Sequence, residues 1–359
     1  MGSMRILAIE TSCDETGIAL IAASGGLQNP KFEILKNFVS SQIKIHRPFG
    51  GVVPSLAKRE HLKNLPILLR KMDSDSRLAE SADMIAVTVG PGLEPALWTG
   101  INFAKELAAK YDKPLIGANH LEGHLYSFLL PQKETGVSTS RNPGISKRLF
   151  PAIALIVSGG HTVILKMDSF AKWKRLGETR DDAAGEAFDK VARLLELPYP
   201  GGPEIEKSAL DGDARAINFP RPMIHDKNYD FSFSGLKTAV LYYLRDHANA
   251  NKADVAASFQ QAVIDVLVAK TIRAAKQFGA RSVLLSGGVA SNKLLRKTLK
   301  KESEKNNCLF FAPGLKYNQD NAAMIAVAGY MAYLRKKSAG GRSAISGKYK
   351  LSAKGDMDI

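Results

Sequence analysis

Two histidines four residues apart, in Asn119-His120-Leu121-Glu122-Gly123-His124, have the types and spacing that most directly suggest chemistry. On a helix they would point the same way, as in a two-histidine metal site. A zinc protease helix carries His-Glu-x-x-His, with the carboxylate directly after the first histidine. Here Leu121 holds that place and Glu122 comes one residue late, which on a helix turns the carboxylate about 100° away. Metal binding survives that shift, while a protease base does not fit it. Two surface histidines on a helix would share the same spacing, so the pair alone leaves both readings open. A third ligand is needed, and Asp320, in Tyr317-Asn318-Gln319-Asp320-Asn321, is a candidate because it precedes the final helical stretch. Spacing by itself does not select it.

A second pattern is repeated. Val157-Ser158-Gly159-Gly160-His161-Thr162 and Leu285-Ser286-Gly287-Gly288-Val289-Ala290 each place Ser-Gly-Gly straight after an apolar run. Glycine lets backbone amides approach a phosphate closely. After the second loop a helix follows, whose N-terminus could face an anion. One such loop would pass as a tight turn, whereas two at strand ends in one half of the chain point to a nucleotide site. The chain has no G-x-x-x-x-G-K-[ST] loop, which excludes a P-loop enzyme.

The third constellation is Asp181-Asp182-Ala183-Ala184-Gly185-Glu186-Ala187-Phe188-Asp189-Lys190. Asp181 and Asp182 suit a helix N-terminus. Ala184, Phe188, Val191 and Leu195 form an apolar stripe, and Asp189 lies beside it, free to face a ligand or to pair with Lys190 or Arg193. Tyr199-Pro200-Gly201-Gly202-Pro203 then makes a rigid turn.

The elements that must position these residues read as two α/β halves. Residues 5–10 and 17–22 form a hairpin whose tip, Thr11-Ser12-Cys13-Asp14-Glu15-Thr16, carries hydroxyls and carboxylates. Residues 34–41 suit a further strand, and 55–72 a helix that Pro66 should kink or end. Residues 83–89, the turn Gly90-Pro91-Gly92-Leu93, a helix over 96–111 and a strand over 113–118 make a βαβ unit, hence parallel pairing. Residues 131–148 read as an exposed connection. The second half restarts with strands at 151–157 and 162–167, followed by helices over 183–195 and 255–278, a strand at 281–285, and helices over 291–305 and 321–337. We therefore expect an N-terminal lobe over 4–148 that carries the histidines. A C-terminal lobe over 149–320 would carry the nucleotide loops. A terminal helix over 321–337 should pack back on the first lobe, followed by a basic, mobile tail over 338–359. A hairpin-led α/β lobe used twice, with a nucleotide and metal cleft between the copies, is the architecture of the actin, sugar-kinase and heat-shock ATPase superfamily.

A length of 359 residues suits two domains. A hydrophobic share of 45% and a charged share of 24% exclude a disordered or collagen-like chain. The net charge of +15 suggests a polyanionic partner, nucleic acid first. Cys13 and Cys308 are too few and too distant for a disulfide framework, no signal-peptide core is present, and no apolar run of about 18 residues occurs. A reducing cytoplasm and no membrane partner are expected.

Taken in order, the motifs resemble one family, the bacterial-type tRNA N(6)-adenosine threonylcarbamoyltransferases, formerly called O-sialoglycoprotein endopeptidases. The matching strings are Ile9-Glu10-Thr11-Ser12-Cys13-Asp14-Glu15-Thr16, Gly90-Pro91-Gly92-Leu93, His120-Leu121-Glu122-Gly123-His124, residues 157–162, 181–190 and 199–203, Asp230-Phe231-Ser232-Phe233-Ser234-Gly235-Leu236-Lys237-Thr238, and residues 286–292 and 318–323. The resemblance implies that His120, His124 and Asp320 ligate one divalent metal, Fe2+ foremost and Zn2+ as the other choice, and that they couple the two lobes. It places substrate contacts on Ile156, Val157, Ser158, Gly159 and Gly160, and on Asp189, Gly202 and Asn292. Glu206 aligns with a position that is commonly Asp, one methylene shorter.

The implied reaction transfers the threonylcarbamoyl group of threonylcarbamoyl-AMP to the exocyclic amine of the adenosine 3′ of the anticodon in tRNAs reading ANN codons, releasing AMP. The nucleotide cleft could also take ATP or ADP. No side chain stands out as a general base. Relatives of this kind work with a catalytically silent paralogue and a small ATPase, or as self-dimers. Lys293, Arg296, Lys297, Lys300, Lys301 and Lys305, with Arg335, Lys336, Lys337, Arg342, Lys348, Lys350 and Lys354, could hold tRNA. An ATP-dependent kinase or ATPase of the same fold, a metalloprotease and a non-enzymatic tRNA-binding subunit are the competing readings.

Overall fold

The computed structural model describes residues 2–73, 78–131, 145–339 and 350–359. The chain divides into two units, one of residues 1–45, 52–147 and 313–359, the other of 46–51 and 148–312.

The first unit begins with β1 (Met4–Glu10), β2 (Glu15–Ser24) and β3 (Lys31–Ser41), then α1 (Ile43–His46), α2 (Pro54–Asp73), β4 (Met84–Gly90), α3 (Glu94–Tyr111), β5 (Leu115–Asn119) and α4 (His120–Tyr126). Its sheet runs β3-β2-β1-β4-β5. β1 pairs antiparallel with β2 and parallel with β4, so it is buried on both faces and reads as a continuous apolar run. Alternation splits its side chains between the faces. Leu7 and Ile9 join a core with Leu65 and Leu68 of α2 and Ile101 and Ala104 of α3. α2 continues through Pro66, so of the two expected effects, a kink or an end, the end does not occur. Proline at 66 removes the bond to the carbonyl of Leu62, but Leu62 is exposed, so water can reach that carbonyl.

After α5 (Ile145–Leu149), the second unit carries β6 (Ala152–Val157), β7 (Thr162–Ser169), β8 (Lys172–Glu178), α6 (Ala184–Leu194), α7 (Gly201–Ser208), α8 (Ser234–Asp246), α9 (Lys252–Gln277), β9 (Ser282–Ser286), α10 (Lys293–Lys305) and β10 (Leu309–Phe311). Its sheet runs β10-β9-β6-β7-β8. Counted within the unit and read from the β8 edge, this is third-second-first-fourth-fifth, the order of the first unit's sheet, with the hairpin strands on one side and the parallel strands on the other. The expected fold class, two hairpin-led α/β lobes, is what the chain adopts. α9 is long and apolar enough to cross a membrane by length and composition, and most of it is buried in the core of this unit.

The chain then returns to the first unit at 313 and ends in α11 (Ala322–Ser338), which covers the other face of that sheet. Gly329 makes this close: a Cβ there would sit 2.7 Å from that of Ala86. The tail expected to be mobile divides. Residues 340–349 lie outside the described residues, as do 132–144 of the connection read between the lobes. Residues 350–359, however, are fixed on the first unit, with Leu351, Ala353 and Met357 packed against its core.

Candidate metal centre and nucleotide loops

α4 begins where β5 ends. Asn119 caps it, accepting the Glu122 amide at 3.1 Å on its side-chain oxygen. His120 and His124 lie one turn apart, their rings edge to face at 4.7 Å. Asp320 arrives just before α11, whose N-cap Asn321 accepts the Met324 amide. One Asp320 carboxylate oxygen is 3.1 Å from His124 Nε2 and 3.5 Å from His120 Nε2. The ligand atoms of all three residues lie within 4.8 Å of one another. Gly123 permits the approach of α4 to α11, since a Cβ there would meet Ile325 and Met324 at 3.1 Å. All three residues belong to the first unit. The expectation that Asp320 brings a ligand from the second lobe is therefore corrected: the chain has already crossed back at 313.

The triad has the donors and the electrostatics of a cation site. Among the described residues, Nδ1 of fully buried His124 has no hydrogen-bond partner, and Nε2 has only the Asp320 carboxylate beside it. Leaving buried polar atoms unpaired is costly, and a cation on Nε2 would satisfy one. Burial holds His124 below its ordinary value, in the neutral form a metal needs. His120 differs: burial disfavours its charge, but Asp320 and Glu10 outweigh that and raise it to about 9. Glu15 is pushed well up by burial and by Asp14 and Asp320. A dication would relieve this crowding of carboxylates.

Sequence reasoning named the three candidate ligands but missed the residues behind them. Buried Glu10 places one oxygen 3.3 Å from His120 Nδ1 and accepts the Thr88 hydroxyl at 2.7 Å on the same oxygen. The Ser12 hydroxyl lies 3.1 Å from His120 Nδ1. A carboxylate behind a ligating imidazole fixes its ring and tautomer. The only signal for this was the Ile9–Thr16 string, whose polar residues cluster at a hairpin tip. Glu122, the residue out of place for a protease, pairs with Arg335 at 2.5 Å. Arg335 is thereby removed from the basic cluster read as a tRNA contact.

The residues expected to contact a nucleotide all fall in the second unit. β6 and β9 run parallel, with Ile156 opposite Ser286, so the two Ser-Gly-Gly loops emerge side by side at their C-terminal ends. That edge is where open α/β sheets receive ligands. Gly287 is structural: its φ is +91° and a Cβ would strike the Val157 carbonyl. Gly185 brings the start of α6 onto Ser158, its amide 3.2 Å from the Ser158 carbonyl. Gly159, Gly160 and Gly202 face open space, with no atom of the described residues beyond their chain neighbours within 4 Å of where a Cβ would stand.

The remaining residues have defined partners. Asp189 accepts the Gly201 amide at 2.6 Å, tying α7 to α6. Glu206 accepts the Lys293 amide at 2.6 Å. Asn292 caps α10 through the Leu295 amide and donates to Gln260 at 2.6 Å. Ile156 and Val157 are fully buried strand residues, so they offer a ligand their backbone more than their side chains. Asp181 accepts the Phe233 amide at 2.8 Å and the hydroxyls of Ser232 and Ser234 at 2.6 and 2.7 Å, capping α8.

A family model described as TsaD, tRNA N6-adenosine threonylcarbamoyltransferase, matches residues 33–327. A protein of that name from Thermosipho africanus is 50% identical over 333 residues, spanning 92% of this chain and 94% of its own length. Another from Moorella thermoacetica is 48% identical over 338 residues, spanning 92% of this chain and 93% of its own. Among solved structures, T. kodakarensis HypF superposes with a TM-score of 0.59 at 17% identity, over 97% of this chain and 49% of that one. Full-length HypF in a phosphate- and nucleotide-bound form gives 0.56 at 14%, over 96% and 47%. The chain thus spans about half the length of HypF, and at these identities the likeness is one of fold.

Proposed function

The chain belongs to the tRNA N6-adenosine threonylcarbamoyltransferase family, and we propose from that premise how its residues divide the work of the transfer. It is a tRNA-modifying enzyme that places a threonylcarbamoyl group on the N6 amine of an adenosine. The donor we assign is threonylcarbamoyl-AMP. The N6 nitrogen attacks the carbamoyl carbon, the bond from that carbon to the phosphate oxygen breaks, AMP leaves, and the N6 proton passes to solvent.

The paired loops of the second unit suit the adenylate. Open backbone at Gly159 and Gly160, beside the start of α6, can meet a phosphate without a side chain in the way. Asp189, Glu206 and Asn292 fix the helix starts around those loops, with Gly202 open at the first of them. His120, His124 and Asp320 would hold one divalent ion, iron foremost and zinc as the other choice. Such an ion supplies Lewis-acid stabilisation of charge on a phosphate or carbonyl oxygen. Glu10 and Ser12 keep the His120 ring turned so that Nε2 faces Asp320.

The observation that carries the metal assignment is buried His124, whose Nε2 meets only a carboxylate oxygen at 3.1 Å, with the His120 ring one turn away on the same side. The protease reading loses its base, because Glu122 is held by Arg335. Protein partners, a silent paralogue and a small ATPase or a second copy, and a cytoplasmic location belong to the same proposal. The test is product analysis with threonylcarbamoyl-AMP, tRNA and the purified chain, with and without those partners. Modified adenosine with stoichiometric AMP supports the proposal; ADP release onto a small acceptor without modified tRNA would point to a kinase instead.

A further inference from the structure

We propose that residues 350–359 form a strap that positions the metal-binding helix, so that a segment far in sequence from both histidines sets how tightly the triad holds its cation. The inference rests on the metal reading above.

Two chains of contact lead from the strap to His120. The first runs through Asn119, whose side-chain NH2 donates to the Asp358 carbonyl at 2.8 Å while its oxygen caps α4. Both ends of that amide are thus committed, and its orientation is fixed by the strap on one side and the helix on the other. The second runs through the Gly90-Pro91-Gly92 turn. The register between β4 and β5 shifts between Thr88 and Gly90, which frees the Val89 carbonyl, and the Lys354 amide donates to it at 2.8 Å. The Gly92 amide donates to the Gly355 carbonyl at 3.1 Å, and the Leu93 amide to the Ser12 carbonyl at 2.8 Å. Ser12 then meets His120 Nδ1 through its hydroxyl.

The sequence makes room for this docking. Gly90 has φ +154°, and a Cβ there would collide with the Lys354 carbonyl. Gly117 leaves space for Leu351, whose methyl would lie 3.3 Å from a Cβ. Lys105 adds a bond from its ammonium to the Leu351 carbonyl at 3.1 Å. The apolar anchors, Leu351 and Met357, hold the segment down. Its backbone carbonyls and amides are aimed at the turn and at the cap of α4.

The test is a Co2+ titration of the full chain against a chromophoric competitor, with the visible Co2+ spectrum as a second readout. Deleting residues 350–359 should weaken Co2+ binding by about tenfold to a hundredfold, the usual cost of losing support behind a ligand, and alter the spectrum. The peptide 350–359 added in trans should restore both. A folded deletion variant that binds Co2+ within twofold of the full chain overturns the strap. Should the deletion not fold, Met357→Ala, which loosens the anchor alone, decides by the same comparison. If the full chain binds Co2+ no better than His124→Ala, the metal reading itself fails and the strap with it.

Discussion

The carboxylate of Glu122 and the guanidinium of Arg335 are joined at 2.5 Å, and the same guanidinium donates to the Tyr126 hydroxyl at 3.0 Å. This ties the α4 helix, with both histidines, to α11, which Asp320 precedes. Burial raises Glu122, and Arg335 opposes it. Removing Arg335 would leave a largely buried carboxylate without a partner. Arg335→Ala should therefore cost about 2–4 kcal/mol in chemical denaturation, and Glu122→Gln distinctly less, because an amide oxygen still accepts from Arg335. Glu122→Gln should also keep transfer activity within a few fold. Loss of transfer in a well-folded Glu122→Gln protein would contradict the positioning role.

Glycines at the nucleotide loops separate ligand contact from folding. At Gly160 a side chain meets open space, so Gly160→Val should fold with nearly unchanged stability and raise KM for the adenylate by about tenfold or more. At Gly287, φ is +91° and a Cβ strikes Val157, so Gly287→Val should lose stability first, by about 2 kcal/mol or more. Equal KM effects without a stability difference would undo this division.

Asp181 gives a pH signature. Burial opposes its charge more than any single bond favours it, but hydrogen bonds from Ser232, Ser234 and two backbone amides together lower it below its ordinary 3.8. A lowered native value means the unfolded chain binds the proton more readily. The carboxylate's contribution is then complete above 3.8 and fades as pH falls through the native value. Asp181→Asn should cost about 1 kcal/mol at neutral pH, as other helix caps do, and the gap to wild type should close as pH falls through the native value. A gap that stays constant into acid would contradict the capping role.

Much of this was legible in the sequence because it is local. Continuous apolar runs marked the central strands, and Ser-Gly-Gly marked their ends. The i, i+4 histidines offered a metal face or a pair of surface rings, and the shift of Glu122 from the protease position fits its pairing with Arg335. What escaped depends on contacts across the fold. Glu10 looks like the last residue of a strand until His120, far along the chain, folds against it. By sequence order Asp320 falls at the end of the second lobe, because nothing local marks the crossing at 313. Residues 350–359 are polar and short of periodicity, yet Leu351 and Met357 suffice as anchors once Gly90 and Gly117 leave room. Pro66 reads as a kink or a helix end by rule, and exposure of the preceding turn lets the helix continue.

The basic face of α10 yields a salt prediction. Lys293, Lys297, Lys300 and Lys301 are exposed along it, whereas Arg296 is partly buried and donates to the Ala290 carbonyl at 3.2 Å. If this face contacts tRNA phosphates, KM for tRNA should rise steeply with salt. Lys297→Ala with Lys301→Ala should flatten the log–log slope by about 2, while KM for the adenylate stays unchanged. An unchanged slope removes α10 from the tRNA contact.

Above all, His120, His124 and Asp320 are assigned one ion that the transfer requires. The direct measurement is bound metal per chain, alongside modified adenosine formed from threonylcarbamoyl-AMP and tRNA, for wild type, chelated wild type and His124→Ala. Wild type should carry one divalent ion per chain. Transfer should fall by about a hundredfold or more on chelation or in His124→Ala, and the chelated protein should recover when the ion is returned. Full transfer by a metal-free chain, or by His124→Ala, would contradict the assignment.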